Sequence, residues 1–220
     1  MTSPRYIKRL DTWVPADDRF TERWNIGKGK KGKGFGTEQM AQDILHRWGD
    51  KSMKHMLDIG SFVGWCARFW SKKARRVTAW EPNPISRSCA ERNLETLQNV
   101  TLKGDALFEI SKSSFLNFNV PKHYGNCTIS DSGFPIHCTT LDSYNFTDVD
   151  FIKLDTEGTE LNILKGGRKT ITANKPLIQI EINEMCHKHG HTEEQVHDYL
   201  KNLGMKMVMH DNLWDYVYEF

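Results

Sequence analysis

Apolar and polar positions along this chain follow two spacings, and the switches between them mark out its elements. Behind Thr37, a capping residue, Ala41, Ile44, Leu45 and Trp48 recur near every 3.6 residues, which predicts a helix ended by Gly49-Asp50. Residues 55–60 form a short apolar run closing on a glycine, a buried strand. Residues 64–73 read as a helix with Trp65, Phe69 and Trp70 turned inward, and 76–81 as a second strand. Pro82-Asn83-Pro84 stops that strand, and Pro84 suits the first turn of a helix reaching about residue 98. Residues 100–107 read as a third strand.

The pattern changes over 108–141, where short β-type pieces (115–120, 127–130, 137–141) are separated by Pro121, Gly125, Gly133 and Pro135, as in inserted hairpins. A strand at 150–155, a helix at 159–168 ended by Gly166-Gly167, and a strand at 177–182 follow. Thr192-Glu193-Glu194-Gln195 has capping-box spacing and opens a helix to Leu203 that Gly204 ends. Residues 206–209 and 214–220 read as a closing hairpin around Asp211-Asn212. Strands alternating with helices predict an α/β fold with a parallel, doubly wound sheet. Crossovers in such a sheet are right-handed, so ligands gather at the strands' carboxyl ends.

Composition sharpens this picture. With 220 residues, 38% hydrophobic and 11% aromatic, the chain can bury a core and is not a disordered one. No apolar run approaches the ~20 residues that span a bilayer, and the first residues lack a secretory apolar stretch. Cys66, Cys89, Cys127, Cys138 and Cys186 are odd in number without a CxxC pair, which argues for a reducing, cytoplasmic setting. Residues 1–34 hold nine Lys/Arg against four Asp/Glu, which leaves the remainder slightly acidic. A nucleic-acid partner is therefore disfavoured. The glycine- and lysine-rich stretch 27–34 reads either as a solvated linker or as an anion-gripping lid. The expected organisation is a basic N-terminal extension or lid at 1–36 and one domain at 37–220.

Asp58-Ile59-Gly60-Ser61-Phe62-Val63-Gly64 falls where a doubly wound sheet makes its cofactor turn. Gly60 permits a tight turn, Gly64 lets the next helix pack near the sheet, and helix-start amides offer donors to an anion. A carboxylate at Asp58 under that turn would repel a pyrophosphate but favours an ammonium or sulfonium; alternatively, Asp58 only caps the turn. S-adenosylmethionine carries both cations and one carboxylate, and G-x-G-x-x-G is absent here, which counts against NAD or FAD. Glu81 at the second strand's end suits the ribose hydroxyls of an adenosine. Asp105, within Gly104-Asp105-Ala106, suits its adenine amino group.

The segments MLDIGSFVGWCARFW, VTAWEPNP, NVTLKGDAL, CTTLD, FIKLDTEGTELNILKGG and LIQIEIN resemble the FkbM family of S-adenosylmethionine-dependent methyltransferases, over about residues 55–210. That resemblance implies a class I methyltransferase (Rossmann-like) sheet of seven strands with the last antiparallel, here with a small β-hairpin insertion. It also implies O-methylation, typically of a sugar or another secondary alcohol, with a small-molecule or glycan acceptor and no membrane partner. Cofactor contacts are expected at Asp58, Gly60, Ser61, Phe62, Gly64, Glu81, Pro82, Asp105 and Ala106. Ser61-Phe62 replaces the small residues usual there, so Phe62 is expected beside the methionine moiety.

An alcohol is a very weak acid, so its methylation needs a general base, a metal or a polarising group. Lys153, Asp155, Glu157 and Glu181 lie at the ends of the fourth and fifth parallel strands. Asp155 and Glu157 are expected to organise the acceptor, with Glu181 or His187 taking the proton. Glu181 sits between Ile180 and Ile182, and the alternative for it is an ion pair with Lys153. The run from Cys186 through His187, His189 and His191 lacks a second Cys/His pair at structural-zinc spacing and reads as a polar loop, with no metal assigned. Two rival functions remain: RNA ribose methylation served by the lysine loop, and a catalytically silent S-adenosylmethionine-binding scaffold, which the acids at Asp58, Glu81, Asp155, Glu157 and Glu181 disfavour.

Overall fold

A computed structural model of the chain describes residues 3–18, 36–49 and 51–220, so the lysine-rich stretch 27–34 lies outside the described residues. Thirteen strands are present among them: β1 (Pro4–Ile7), β2 (Thr12–Pro15), β3 (Met53–Ile59), β4 (Ala74–Trp80), β5 (Val100–Lys103), β6 (Ala106–Leu107), β7 (Lys112–Phe118), β8 (Cys127–Ser130), β9 (Phe134–Thr139), β10 (Val149–Leu154), β11 (Leu177–Glu181), β12 (Lys206–His210) and β13 (Asp215–Glu219). The helices are α1 (Gly36–Trp48), α2 (Trp65–Trp70), α3 (Pro84–Leu94), α4 (Glu160–Gly166), α5 (Arg168–Asn174) and α6 (Glu193–Asn202).

Seven strands form the central sheet in the order β12-β13-β11-β10-β3-β4-β5. β3 pairs in parallel with β10 and β4, while β13 lies antiparallel between β11 and β12. This is the expected doubly wound sheet with its last strand reversed. Period-two alternation gives it two buried faces. Leu57, Ile59, Ile152, Leu154, Ile178, Ile180 and Tyr218 pack on one side with Leu161, Ile163, Ile171, Val196 and Leu200 of α4, α5 and α6. Met56, Val77, Ala79, Phe151 and Val217 point to the other side, against Met40, Ile44, Ala67, Trp70, Ala90 and Leu94 of α1, α2 and α3. Neighbouring residues on one strand therefore serve different cores, which pins the register.

Two expectations need correction. The run 100–107 is not one strand: the chain breaks at Gly104-Asp105, and Ala106-Leu107 leave the main sheet to pair in parallel with β9. The inserted hairpins thus become a four-stranded sheet of order β6-β9-β7-β8. The helix at 159–168 is present as α4, but a second helix, α5, which the sequence pattern did not predict, follows it directly. Gly167, against Leu141 and with no room for a Cβ, ends α4 and begins α5.

The N-terminal hairpin β1–β2 docks on α2 and α3. The Trp13 N–H donates to Asn93 Oδ1 (2.7 Å), Asn93 Nδ2 returns a bond to the Trp13 carbonyl (2.9 Å), and Trp65 Nε1 donates to Thr12 Oγ1 (2.8 Å). Arg68 pairs with Asp11. This carries Asp17 and Asp18 toward the carboxyl edge of the sheet, where the Tyr124 hydroxyl donates to Asp17 (3.0 Å).

Candidate active site

The carboxyl ends of β3, β4, β10 and β11, roofed by the insertion, enclose a cavity of about 540 Å³. Gly60 shapes its floor. Its φ of 84° is one that L side chains rarely adopt, and a Cβ there would sit 1.7 Å from the Asp155 carbonyl oxygen. The amides of Gly60 and Ser61 both donate to the Trp80 carbonyl (3.2 and 2.9 Å). Phe62 follows in a left-handed conformation (φ 50°), and its ring faces the cavity beside Gly125 of the insertion. Phe62, expected beside the methionine moiety of the donor, thus stands on the cavity wall.

Asp58 lies under the turn, where the sequence placed it. It is fully buried and does not line the cavity. Its Oδ2 accepts from Ser61 Oγ (2.8 Å) and the Ala67 N–H (2.9 Å), tying the turn to the start of α2. Burial raises its pKa, against the pull of the Lys153 ammonium 3.9 Å from Oδ1. Ser61 and Gly64 likewise belong to the turn rather than to the wall. Lys153 does not line the cavity either. Its Nζ donates to the Gly60 carbonyl (2.9 Å) and pairs with Asp155 (3.1 Å), not with Glu181. Burial pulls its pKa down, but Asp155 and Asp58 overcome this and hold it well above the usual lysine value. The cation is spent on the floor of the site.

Glu81, Pro82, Asp105 and Ala106, expected to hold the nucleoside, all stand on the wall at one end of the cavity. Glu81 accepts from the Phe62 N–H at Oε2 (2.7 Å) and from the Asn83 N–H at Oε1 (2.8 Å). Burial pushes its carboxyl up to about 8 despite those donors. Asp105 is held by His137 Nδ1 (3.2 Å) and the Tyr144 hydroxyl (3.4 Å). Both Glu81 oxygens are thus aimed by backbone amides beside a turn that excludes a Cβ, and the Arg87 guanidinium, which donates to the Glu81 and Pro82 carbonyls, eases the charge on that carboxyl.

The opposite end gathers Asp155, Glu157, Glu181, Asn183, Glu184, Met185 and Trp214. Glu157 is left-handed (φ 58°), and Gly158 after it would drive a Cβ to 2.3 Å from the Met185 carbonyl oxygen. Glu160 closes this turn from below, its Oε1 accepting from the Thr156 N–H (2.8 Å) and Oγ1 (2.9 Å). Burial pushes Glu157 up to about 8, with Asp155 adding repulsion, while Asn126 Nδ2 donates to it (3.2 Å). Glu181 is raised further still, by burial first and then by Asp155, Glu157 and Asp215. Asp215 faces it across the β11–β13 ladder and is itself pushed up to about 6 by burial.

His187 is not part of this end. It is more than half exposed and its Nε2 lies 2.7 Å from Glu193, away from the wall; His189 does not line the cavity either. Glu160, Tyr124, Asn126, Asn183 and Trp214 were not singled out from the sequence. The first had a signal, an acid placed to close the Thr156–Gly158 turn, and Asn183 directly follows β11; the others arrive from the insertion and the closing hairpin, whose approach no local pattern encodes.

The methyltransferase FkbM domain model matches residues 58–207. Among solved structures, an FkbM methyltransferase from Methylobacillus flagellatus KT superposes with a TM-score of 0.55 at 21% identity, over 77% of this chain and 44% of that one. This chain thus spans less than half of that protein. A precorrin-6y C5,15-methyltransferase from Geobacter metallireducens GS-15 gives 0.51 at 12% identity, over 90% and 94%. A TehB-like SAM-dependent methyltransferase from Corynebacterium glutamicum gives 0.50 at 11%, over 93% and 96%. No curated protein matches. No helix among the described residues is long and apolar enough to cross a membrane. With the family model covering well over half of its length, the chain belongs to the FkbM family of S-adenosylmethionine-dependent methyltransferases.

Proposed function

We propose that the chain methylates a hydroxyl of a sugar, glycan or similarly small hydroxylated acceptor. The observation that carries this reading is the set of partly buried carboxyls opposite the nucleoside end, Glu157 and Glu181 above all, raised in pKa and facing one cavity. A carboxylate of raised pKa is a stronger base than an ordinary one, which is what a hydroxyl acceptor requires. Bound S-adenosylmethionine supplies an electrophilic methyl on a sulfonium. Glu81 and Asp105 then grip the ribose and adenine, and Phe62 packs beside the methionine chain.

Glu181 holds the position of proton acceptor. In the empty cavity it is protonated, because burial and the neighbouring carboxylates disfavour its charge. A cationic donor reverses that balance and lets Glu181 ionise where the acceptor hydroxyl must lie. Glu157, steadied by Asn126, and Asp155, steadied by Lys153, fix the acceptor's orientation. Trp214, more than half exposed at the rim, offers a flat apolar face to a pyranose.

The test is a labelled-methyl screen over nucleotide sugars, free oligosaccharides and RNA. Label in a carbohydrate hydroxyl supports the reading. Label in RNA, with acceptor binding that falls steeply with salt, overturns it.

A further inference from the structure

Beyond the cavity, one group of side chains has no part in methyl transfer. Cys186 and His187 lie in the 3-10 turn Glu184–His189, and Glu193 opens α6. Cys186 Sγ, a His187 ring nitrogen and a Glu193 carboxylate oxygen all fall within 4.8 Å of one another. None of the three lines the cavity. We propose that these three side chains bind a divalent transition-metal ion of the zinc type, which staples the 3-10 turn to the start of α6.

The donor set argues for the class of ion. A thiolate and an imidazole select a borderline or soft cation and disfavour magnesium or calcium. With the thiolate and the carboxylate both anionic, a divalent ion leaves the site neutral, and neutrality matters because Cys186 is buried. Binding releases the thiol proton to solvent and forms the metal–sulfur bond in its place. Side-chain adjustment has to draw donors that lie within 4.8 Å of one another in to zinc–ligand distances of about 2.0–2.3 Å. His187 Nε2 and Glu193 Oε2 already sit 2.7 Å apart, at a half-exposed edge where water can fill a fourth position.

The backbone is arranged to hold the donors there. Cys186 N–H bonds to the Asn183 carbonyl, His191 N–H to the Cys186 carbonyl, and the capping box of Thr192 and Gln195 fixes the first turn that carries Glu193. His189 and His191 have buried, unbonded Nε2 atoms, but neither belongs to the set of donors that lie within 4.8 Å of one another. Since Asn183, Glu184 and Met185 form cavity wall directly before Cys186, an ion here stiffens that wall.

The experiment measures metal content of untagged protein after dialysis against zinc, then repeats the titration with cobalt, whose thiolate charge-transfer band reports sulfur ligation. One ion per chain, a cobalt–thiolate band, and at least a tenfold loss of zinc affinity in His187→Gln are expected. Cys186→Ser should abolish the band. Because Cys186 is buried and that variant can misfold, the exposed His187→Gln carries the decision, with circular dichroism as the fold check. His189→Gln and His191→Gln should keep the ion. Substoichiometric metal in the wild type overturns the proposal, and so does zinc kept by His187→Gln but lost with either other histidine.

Discussion

The two ends of the cavity solve the burial of charge in opposite ways. Under the nucleoside end, every buried acid has a partner from this chain: Asp58 has Ser61, the Ala67 amide and the Lys153 ammonium, and Glu81 has two backbone amides. At the acceptor end burial raises the pKa values of Glu157, Glu181 and Asp215, Asp155 repels all three, and Glu157 and Asp215 further raise Glu181, against single amide donors from Asn126 to Glu157 and from Gln179 to Asp215. The first arrangement positions groups; the second stores unmet demand for positive charge or for deprotonation. The difference teaches where binding ends and chemistry begins.

The sharpest way to break this comparison is Glu181→Gln. Methyl transfer measured in a single turnover should fall roughly 10²–10⁴-fold, the range for loss of a general base, while S-adenosylhomocysteine binding by calorimetry stays within about twofold. A full-rate variant would strip Glu181 of its role. Glu81→Ala should do the reverse, weakening S-adenosylhomocysteine by roughly 10- to 100-fold, as expected for hydrogen bonds to a charged group. Its maximal rate at saturating donor should change far less.

The acid–base state offers a third handle. Glu81 and Glu157 ionise near 4.5 when unfolded and at about 8 when folded, because burial favours their protonated forms. Between those values the folded chain binds more protons than the unfolded one. Stability of the donor-free protein is therefore complete below about pH 4.5 on this account and declines as pH rises through about 8. Melting temperature followed across that window should show the fall, and Glu81→Gln should flatten it. The smallest effect expected is that of Asn126→Ala. It removes one hydrogen bond to Glu157, worth about 1 kcal/mol, and should raise acceptor KM several-fold without touching donor affinity.

Much of the nucleoside end was legible in the sequence because it is local. Gly60, Phe62, Glu81, Pro82, Asp105 and Ala106 lie within one turn of a strand end, so knowing the strand places the residue. Asp58, the penultimate residue of β3, lies under the turn as the sequence placed it, but its bonds to Ser61 and the Ala67 amide keep it off the cavity wall. His187 looked like a loop residue following a strand, but the 3-10 turn carries it round to Glu193. The acceptor end was half-legible. Asp155, Glu157 and Glu181 follow from β10 and β11, whereas Asn126, Tyr124 and Trp214 are brought in by long-range packing. The split of residues 100–107 and the second helix after Gly167 escaped for the same reason: each break is set by a tertiary neighbour, β9 in one case and Leu141 in the other.

The roof over the cavity comes from the four-stranded insertion, whose segment 123–127 supplies wall residues but none of the central strands. Loops of this kind tolerate changes in length that a sheet cannot. Relatives could therefore trade acceptors by remodelling the roof alone, leaving the floor that seats the donor unaltered, so that specificity and catalytic machinery are free to evolve at different speeds.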